Sequence, residues 1–180
     1  MELKHENFYS EDEYEKMEHE GLIEYDSGTI LMSPAPSPIH QALVSELNAI
    51  IRNYLVGKTC KVYPAPFDVR LKLSSGIKRA QPDLSIISDK NKITHTGCEG
   101  APDFIIEIVS ETSKRHDYLT KLKWYEDAGV KEYWIVNPIN HTIMTYVFES
   151  GEVEQYSFND GVPVNIWNGD LSIDFRTMDI

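Results

Sequence analysis

Apolar residues change their spacing several times along this chain, and each spacing predicts a different element. Over 38–56, Ile39, Leu43, Leu47, Ile50 and Tyr54 recur at helical intervals, marking a helix with one buried stripe. Ser37 suits its N-cap, Pro38 its first turn and Gly57 its stop. The segment CKVYPAPFDVRLKL then reads as strand, proline interruption, strand: Val69, Leu71 and Leu73 alternate with Arg70 and Lys72. Two nearly continuous apolar runs follow, PDLSIIS at 82–88 and PDFIIEIVS at 102–110. Runs of this kind predict strands covered on both faces. Between them, 89–101 is polar and predicts a loop. A second helix is expected from Thr112 or Ser113 to about Ala128, with Gly129 after it, and then a short strand in KEYWIVNP.

The ends of the chain predict hairpins. LIEYDSGTILM places two apolar stretches around Asp26-Ser27-Gly28, and HTIMTYVFESGEVEQYSF turns at 149–152. Weaker strands are expected at 162–167 and 171–175. Ser10 and Glu13 form a capping-box pattern for a short acidic helix that Gly21 would stop. This order implies an α/β fold, a mixed central β-sheet flanked by helices with extra β-hairpins at both ends. Residues 103–110, 113–128 and 132–137 would form a parallel β–α–β unit.

Composition narrows the picture. At 180 residues and 41% hydrophobic, the chain is sized for a single domain over 1–180 with a substantial core. No apolar run approaches the length of a membrane span, and the charged N-terminus is unlike a signal peptide. Cys60 and Cys98 form no metal-ligand pattern, as expected of thiols in the cytoplasm. The net charge of −12 argues against a broad nucleic-acid-binding surface. The acids are unevenly placed, however: Glu6, Glu11, Asp12, Glu13, Glu15, Glu18 and Glu20 crowd one stretch, and Glu24 follows. Arg70, Lys72, Lys78, Arg79, Lys114 and Arg115 form two basic groupings that would either contact phosphates or remain solvated.

Glu107 interrupts the apolar run of its strand. A carboxylate there is costly unless it is paired, neutralised or coordinating a cation. Asp83, behind Pro82 and ahead of LSII, poses a lesser version of the problem. If the two strands are neighbours, both acids converge, and either a divalent cation or a shared proton would relieve their repulsion. Mg²⁺ suits such a site because it binds through one or two carboxylates plus water and phosphate. The structural alternative is an acid that faces solvent or pairs with a buried base. Asp103, after Pro102, is a further candidate ligand or else a cap at the start of its strand.

On the second helix Tyr118, Leu122, Tyr125 and Ala128 share a face, with Asp117, Lys121 and Trp124 beside it. Asp117 and Lys121 are spaced for an exposed ion pair, worth about 0.3–0.5 kcal/mol. Alternatively Lys121 reaches over the sheet to Glu107 and Asp83, where its ammonium would orient water and stabilise a phosphorane-like transition state.

These segments together, QPDLSII, APDFIIEIVSETSKRHDYLTKLKWYEDAGVKEYWIVNP and GTILMSPAPSPIHQ, resemble the Uma-two-type endonuclease family. That family is a branch of the PD-(D/E)XK restriction-endonuclease-like superfamily, and the resemblance covers roughly residues 20–140. It implies a restriction-endonuclease-like sheet and a site in which Asp83 and Glu107 bind Mg²⁺, or Mn²⁺ in its place, for water attack on DNA. The superfamily's usual lysine position, two after the acid, is Val109 here, so the pattern is broken. The resemblance moves that role to Lys121, within Asp117, Lys121, Tyr125; Lys123, some 200° around the helix from Lys121, is a weaker substitute. Glu46, Glu24 and His40 compete to complete the site.

Two functions follow. One is a Mg²⁺-dependent endonuclease acting on DNA, as a homodimer whose two sites face the two strands. The other is a catalytically degenerate nuclease-fold protein that binds or oligomerises, favoured by the acidic charge and by the alternation of Ile143, Thr145 and Val147 with Met144, Tyr146 and Phe148, which offers an edge for pairing.

Overall fold

A computed structural model describes residues 8–17, 22–32, 35–110 and 116–180, with nothing placed for the side chains of His116 and Asp117. In chain order the elements are α1 (Glu11–Glu15), β1 (Ile23–Asp26), β2 (Thr29–Met32), α2 (Pro38–Tyr54), β3 (Lys61–Pro64) and β4 (Asp68–Leu73). Then come β5 (Gly76–Ala80), β6 (Leu84–Ile87), β7 (Gly97–Glu99), β8 (Phe104–Ile108), α3 (Leu122–Ala128) and β9 (Glu132–Asn137). The chain ends with β10 (Thr142–Val147), β11 (Glu152–Ser157), β12 (Gly161–Pro163) and β13 (Ser172–Asp174). One sheet runs β11-β10-β9-β8-β6-β3 and a second runs β2-β1-β5-β4-β7.

The six-stranded sheet has a helix on each face. Leu43, Leu47 and Ile51, the stripe of α2, pack on Ile86, Phe104, Ile106, Ile108, Trp134 and Val136. The other face presents Ile87, Ile105, Val109, Tyr133 and Ile135 to Trp124 and Tyr125 of α3 and to Val69, Leu71 and Ala80 of the second sheet. Burial on both sides explains why β8 and β9 read as apolar runs. They pair in parallel, Phe104 opposite Glu132 through Ile108 opposite Val136, on either side of α3. The first hairpin turns at Ser27 and Gly28, both with positive φ (47° and 110°). Ser10 and Glu13 make both bonds of the capping box.

Four expectations need correction. The polar stretch 74–80 showed no strand, yet β5 pairs with β4 and with β1. Lys78 and Arg79 made it look exposed, whereas both are buried against acids from distant segments. The loop 89–101 contains β7, parallel to β4. The second helix is not α-helical throughout: His116–Lys121 is wound as a π-helix, and its expected caps at Thr112 and Ser113 lie outside the described residues, as does Gly21. The two late strands shrink to β12 and β13, with 3₁₀ turns beside them at Asn165–Trp167 and Phe175–Thr177.

The expected pairing edge also moves. β10 is hydrogen-bonded on both sides, to β9 and β11, so its alternating residues are interior. The outer strand is β11, whose residues Glu152–Gln155 are exposed. Cys60 and Cys98 are free thiols, and burial pushes the Cys98 thiol up to about 11. No described helix is long and apolar enough to cross a membrane.

Candidate active site

Side chains alternate along β8, so with Ile106 and Ile108 turned toward α2, Glu107 faces α3. The register of β6 against β8 ends with Leu84 opposite Ile106, and Asp83 stands just ahead of Leu84. Asp83 Oδ2 accepts the amide of Ile108 at 2.7 Å, so this carboxylate lies against the backbone next to Glu107. His40 Nε2 stands 3.1 Å from the same oxygen. Its own amide donates to the Ser37 hydroxyl at the N-cap of α2, so the ring meets Asp83, just ahead of β6, from the helix start.

Lys121 closes the site from the other side. Its Nζ lies 2.9 Å from Glu107 Oε1 and 2.8 Å from Glu24 Oε1. One helical turn on, Tyr125 donates its hydroxyl to the same Glu107 oxygen at 2.8 Å. Glu24, on β1, also accepts the amide of Gln81 at 3.2 Å, tying β1 to the segment that leads into Asp83. Relative exposures are 4% for Glu24 and Glu107, 6% for Lys121 and 7% for Asp83. Carboxylates from two strands, Glu24 of β1 and Glu107 of β8, thus meet one ammonium in a buried setting, where each charge acts strongly on the others. Burial, and then the charge of Glu107, hold the Tyr125 phenol far above its ordinary value, so it remains a donor.

Lys121 therefore takes the reaching position toward Glu107, and the Asp83 carboxylate lies against the amide of the next residue, Ile108. Lys121 is buried on Glu24 and Glu107 rather than exposed, and the Asp117 side chain of the expected pair lies outside the described residues. Lys123 is exposed and paired with Asp127 at 2.7 Å. Glu24 enters the site, whereas Glu46, half-buried on α2, shares no described contact with it. His40 reaches Asp83 by a contact across the fold, which its cap position alone did not suggest.

Asp103 proves to be a structural pin. Its Oδ2 accepts both the amide and the hydroxyl of Ser88 at 2.7 Å, and Lys131 bonds Oδ1 at 2.6 Å. Burial pushes this carboxyl up, but Lys131 and Ser88 outweigh it and hold it below its ordinary value. Within the basic grouping at 70–79, Lys72 is exposed, whereas the other three bases are taken up by acids. Arg70 is held by Glu11 and Glu99, Arg79 by Glu11, Glu15 and Asp68, and Lys78 by Asp26. Lys114 and Arg115 lie outside the described residues. Tyr125 and Gln81 were not singled out for the site. The four-residue spacing from Lys121 was the signal for Tyr125; the Gln81 contact, made by its backbone, left none.

Asp83 and Glu107 supply hard carboxylate oxygens, which suit Mg²⁺ or Mn²⁺. No group of three or more His, Cys, Asp or Glu among the described residues forms a ready metal cage.

A family model described as "Uma2: Putative restriction endonuclease" matches residues 11–173. Among solved structures, the chain is similar to the crystal structure of a putative nuclease belonging to DUF820 from Anabaena variabilis ATCC 29413. The TM-score is 0.75 at 22% identity, covering 92% of this chain and 94% of that one. At that identity the likeness establishes the fold, an α/β arrangement of mixed sheets and few helices shared with that putative nuclease. No protein among those with curated functions matches the chain.

Proposed function

Because the chain belongs to the Uma2 family, described as "Putative restriction endonuclease", we propose that it hydrolyses DNA phosphodiester bonds in a Mg²⁺-dependent reaction. The observation that carries this reading is the bond of Lys121 to Glu107 at 2.9 Å, with the Asp83 carboxylate accepting the neighbouring amide of Ile108 at 2.7 Å. Asp83 and Glu107 would hold the ion, which supplies Lewis-acid polarisation of the phosphate and a more acidic bound water. The remaining work falls to the chain. Lys121 orients the attacking water and offsets negative charge as it builds on phosphorus. Glu24 holds the lysine from its far side at 2.8 Å, which limits where the ammonium travels. His40, 3.1 Å from Asp83, steadies that carboxylate.

Plasmid DNA incubated with the purified protein and Mg²⁺ or Mn²⁺ tests the reading, with Asp83→Ala alongside. Nicking by the natural protein and its loss in the variant are expected. Equal nicking by both removes the proposal. A duplex carries two strands, so we also propose a homodimer as the cutting form; sedimentation as a monomer at micromolar concentration removes that part alone.

A second reading, a degenerate nuclease fold that works by binding, is favoured by the net charge of −12, which repels DNA at neutral pH. Calorimetry separates the two, since this reading expects no divalent-ion binding.

A further inference from the structure

Glu107 Oε1 receives two donors, the ammonium of Lys121 at 2.9 Å and the hydroxyl of Tyr125 at 2.8 Å. They constrain the carboxylate differently. Lysine presents a compact charge on a flexible four-carbon stem and tolerates many approach directions. It also divides its bonding between Glu107 and Glu24. Tyrosine carries one hydroxyl on a rigid ring with two side-chain torsions. The ring of Tyr125 is fully buried and packs edge-on against Tyr133, with centroids 5.0 Å apart and planes at 70°. The backbone beneath Glu107 is equally constrained, because β8 lies between β6 and β9. With the strand fixed below and the phenol fixed above, the direction of the Glu107 carboxylate is set by Tyr125.

Direction matters unequally to the two abundant hard cations. Mg²⁺ demands near-ideal octahedral geometry at short distances, whereas Ca²⁺ accepts variable numbers of oxygens in loose arrangements. We infer that Tyr125 is a positioning residue that makes the site selective for Mg²⁺ over Ca²⁺, by holding Glu107 in one orientation through its hydroxyl. The inference rests on the reading of Asp83 and Glu107 as ion ligands and deepens it. Lys121 supplies charge to the same oxygen and does not set ion preference.

The test is calorimetric titration of MgCl₂ and of CaCl₂, separately and without DNA, into the natural protein and Tyr125→Phe. The substitution keeps the ring and its packing and removes only the hydroxyl. Loss of an outer partner of a ligand weakens metal binding by about 10–100-fold. The expected result is a Mg²⁺ affinity lower by about tenfold or more, a much smaller change for Ca²⁺, and a melting temperature near that of the natural protein. Equal weakening of both ions, or no change in either, overturns the inference. Lys121→Met provides a second arm that does not depend on the first variant folding. Its Mg²⁺-to-Ca²⁺ affinity ratio should match that of the natural protein, and a loss of preference there assigns selectivity to the lysine and overturns the inference. If the natural protein binds neither ion, the metal reading of the site falls as well. If it binds both and Tyr125→Phe is indistinguishable from it, only the role of Tyr125 falls.

Discussion

The sheet β2-β1-β5-β4-β7 carries a charged cluster on each face, and the two are built differently. Ile23 and Tyr25 point outward to Tyr14 of α1, so Glu24 between them points inward to Lys121. On the outer face Arg70 and Arg79 stand directly opposite each other in register. Like charges so placed are unfavourable unless an anion joins them. Glu11 does so, accepting from both guanidinium groups, with Asp68, Glu15 and Glu99 around it. Planar guanidinium forks fix carboxylates in orientation as well as distance. That cluster fastens α1 to the sheet. The inner cluster uses a lysine where the outer one uses arginines. A point charge on a flexible stem can shift as an ion or a phosphate approaches, which a pair of locked forks cannot do without unfolding the helix they hold. Clustered charge therefore serves attachment on one face and, in our reading, chemistry on the other.

Substitutions in the two clusters should separate these roles. Arg79→Met has the largest expected effect on the outer cluster, a loss of about 2–3 kcal/mol of stability, because it leaves the half-buried Asp68 without its partner and weakens the hold on Glu11. Urea unfolding measures it, and cleavage per folded molecule should remain near that of the natural protein. Lys121→Met also loses stability, by leaving Glu24 and Glu107 unpaired, but it should in addition cut plasmid cleavage per folded molecule by about 10²–10³-fold. Mg²⁺ binding should be kept or tightened, since an ammonium no longer competes for Glu107. Cleavage lost equally in both variants at full folding would erase the distinction.

Glu11→Gln should cost about 1–2 kcal/mol at neutral pH, and its signature is the response to acid. Hydrogen bonding from Arg70, assisted by Arg79 and opposed by burial, holds the Glu11 carboxyl below its ordinary 4.5. The folded chain thus releases this proton more readily than the unfolded one. The stabilisation is present above pH 4.5 and disappears as pH falls through the lowered folded value. The natural protein should lose stability over that window, and Glu11→Gln should lose less. The smallest effect is expected from Lys123→Ala. Its exposed pairs with Asp127 and Glu126 contribute little, and both nicking and melting should stay near those of the natural protein.

What could be read in advance was local in origin. The stripe of α2, the capping box of α1 and the Ser27-Gly28 turn each depend on contacts within a few residues. The apolar runs of β8 and β9 identified buried strands, and Glu107 stood out against its neighbours for the same reason. β5 escaped notice because Lys78 and Arg79 look solvated until Asp26, Glu11 and Asp68 arrive from elsewhere in the chain. Residue pattern and resemblance together nominated Asp83, Glu107 and Lys121, but could not choose among Glu24, Glu46 and His40.

Backbone propensity and periodic burial act over a handful of residues, so they settled where most helices and strands form and which acid sits oddly among apolar neighbours. The choice of Glu24 over Glu46, the reach of His40 to Asp83 and the hydroxyl of Tyr125 on Glu107 came from the assembled layers. Each joins segments 18 to 97 positions apart in the chain. Their meeting depends on strand register and on one sheet packing against another, and no local spacing records either.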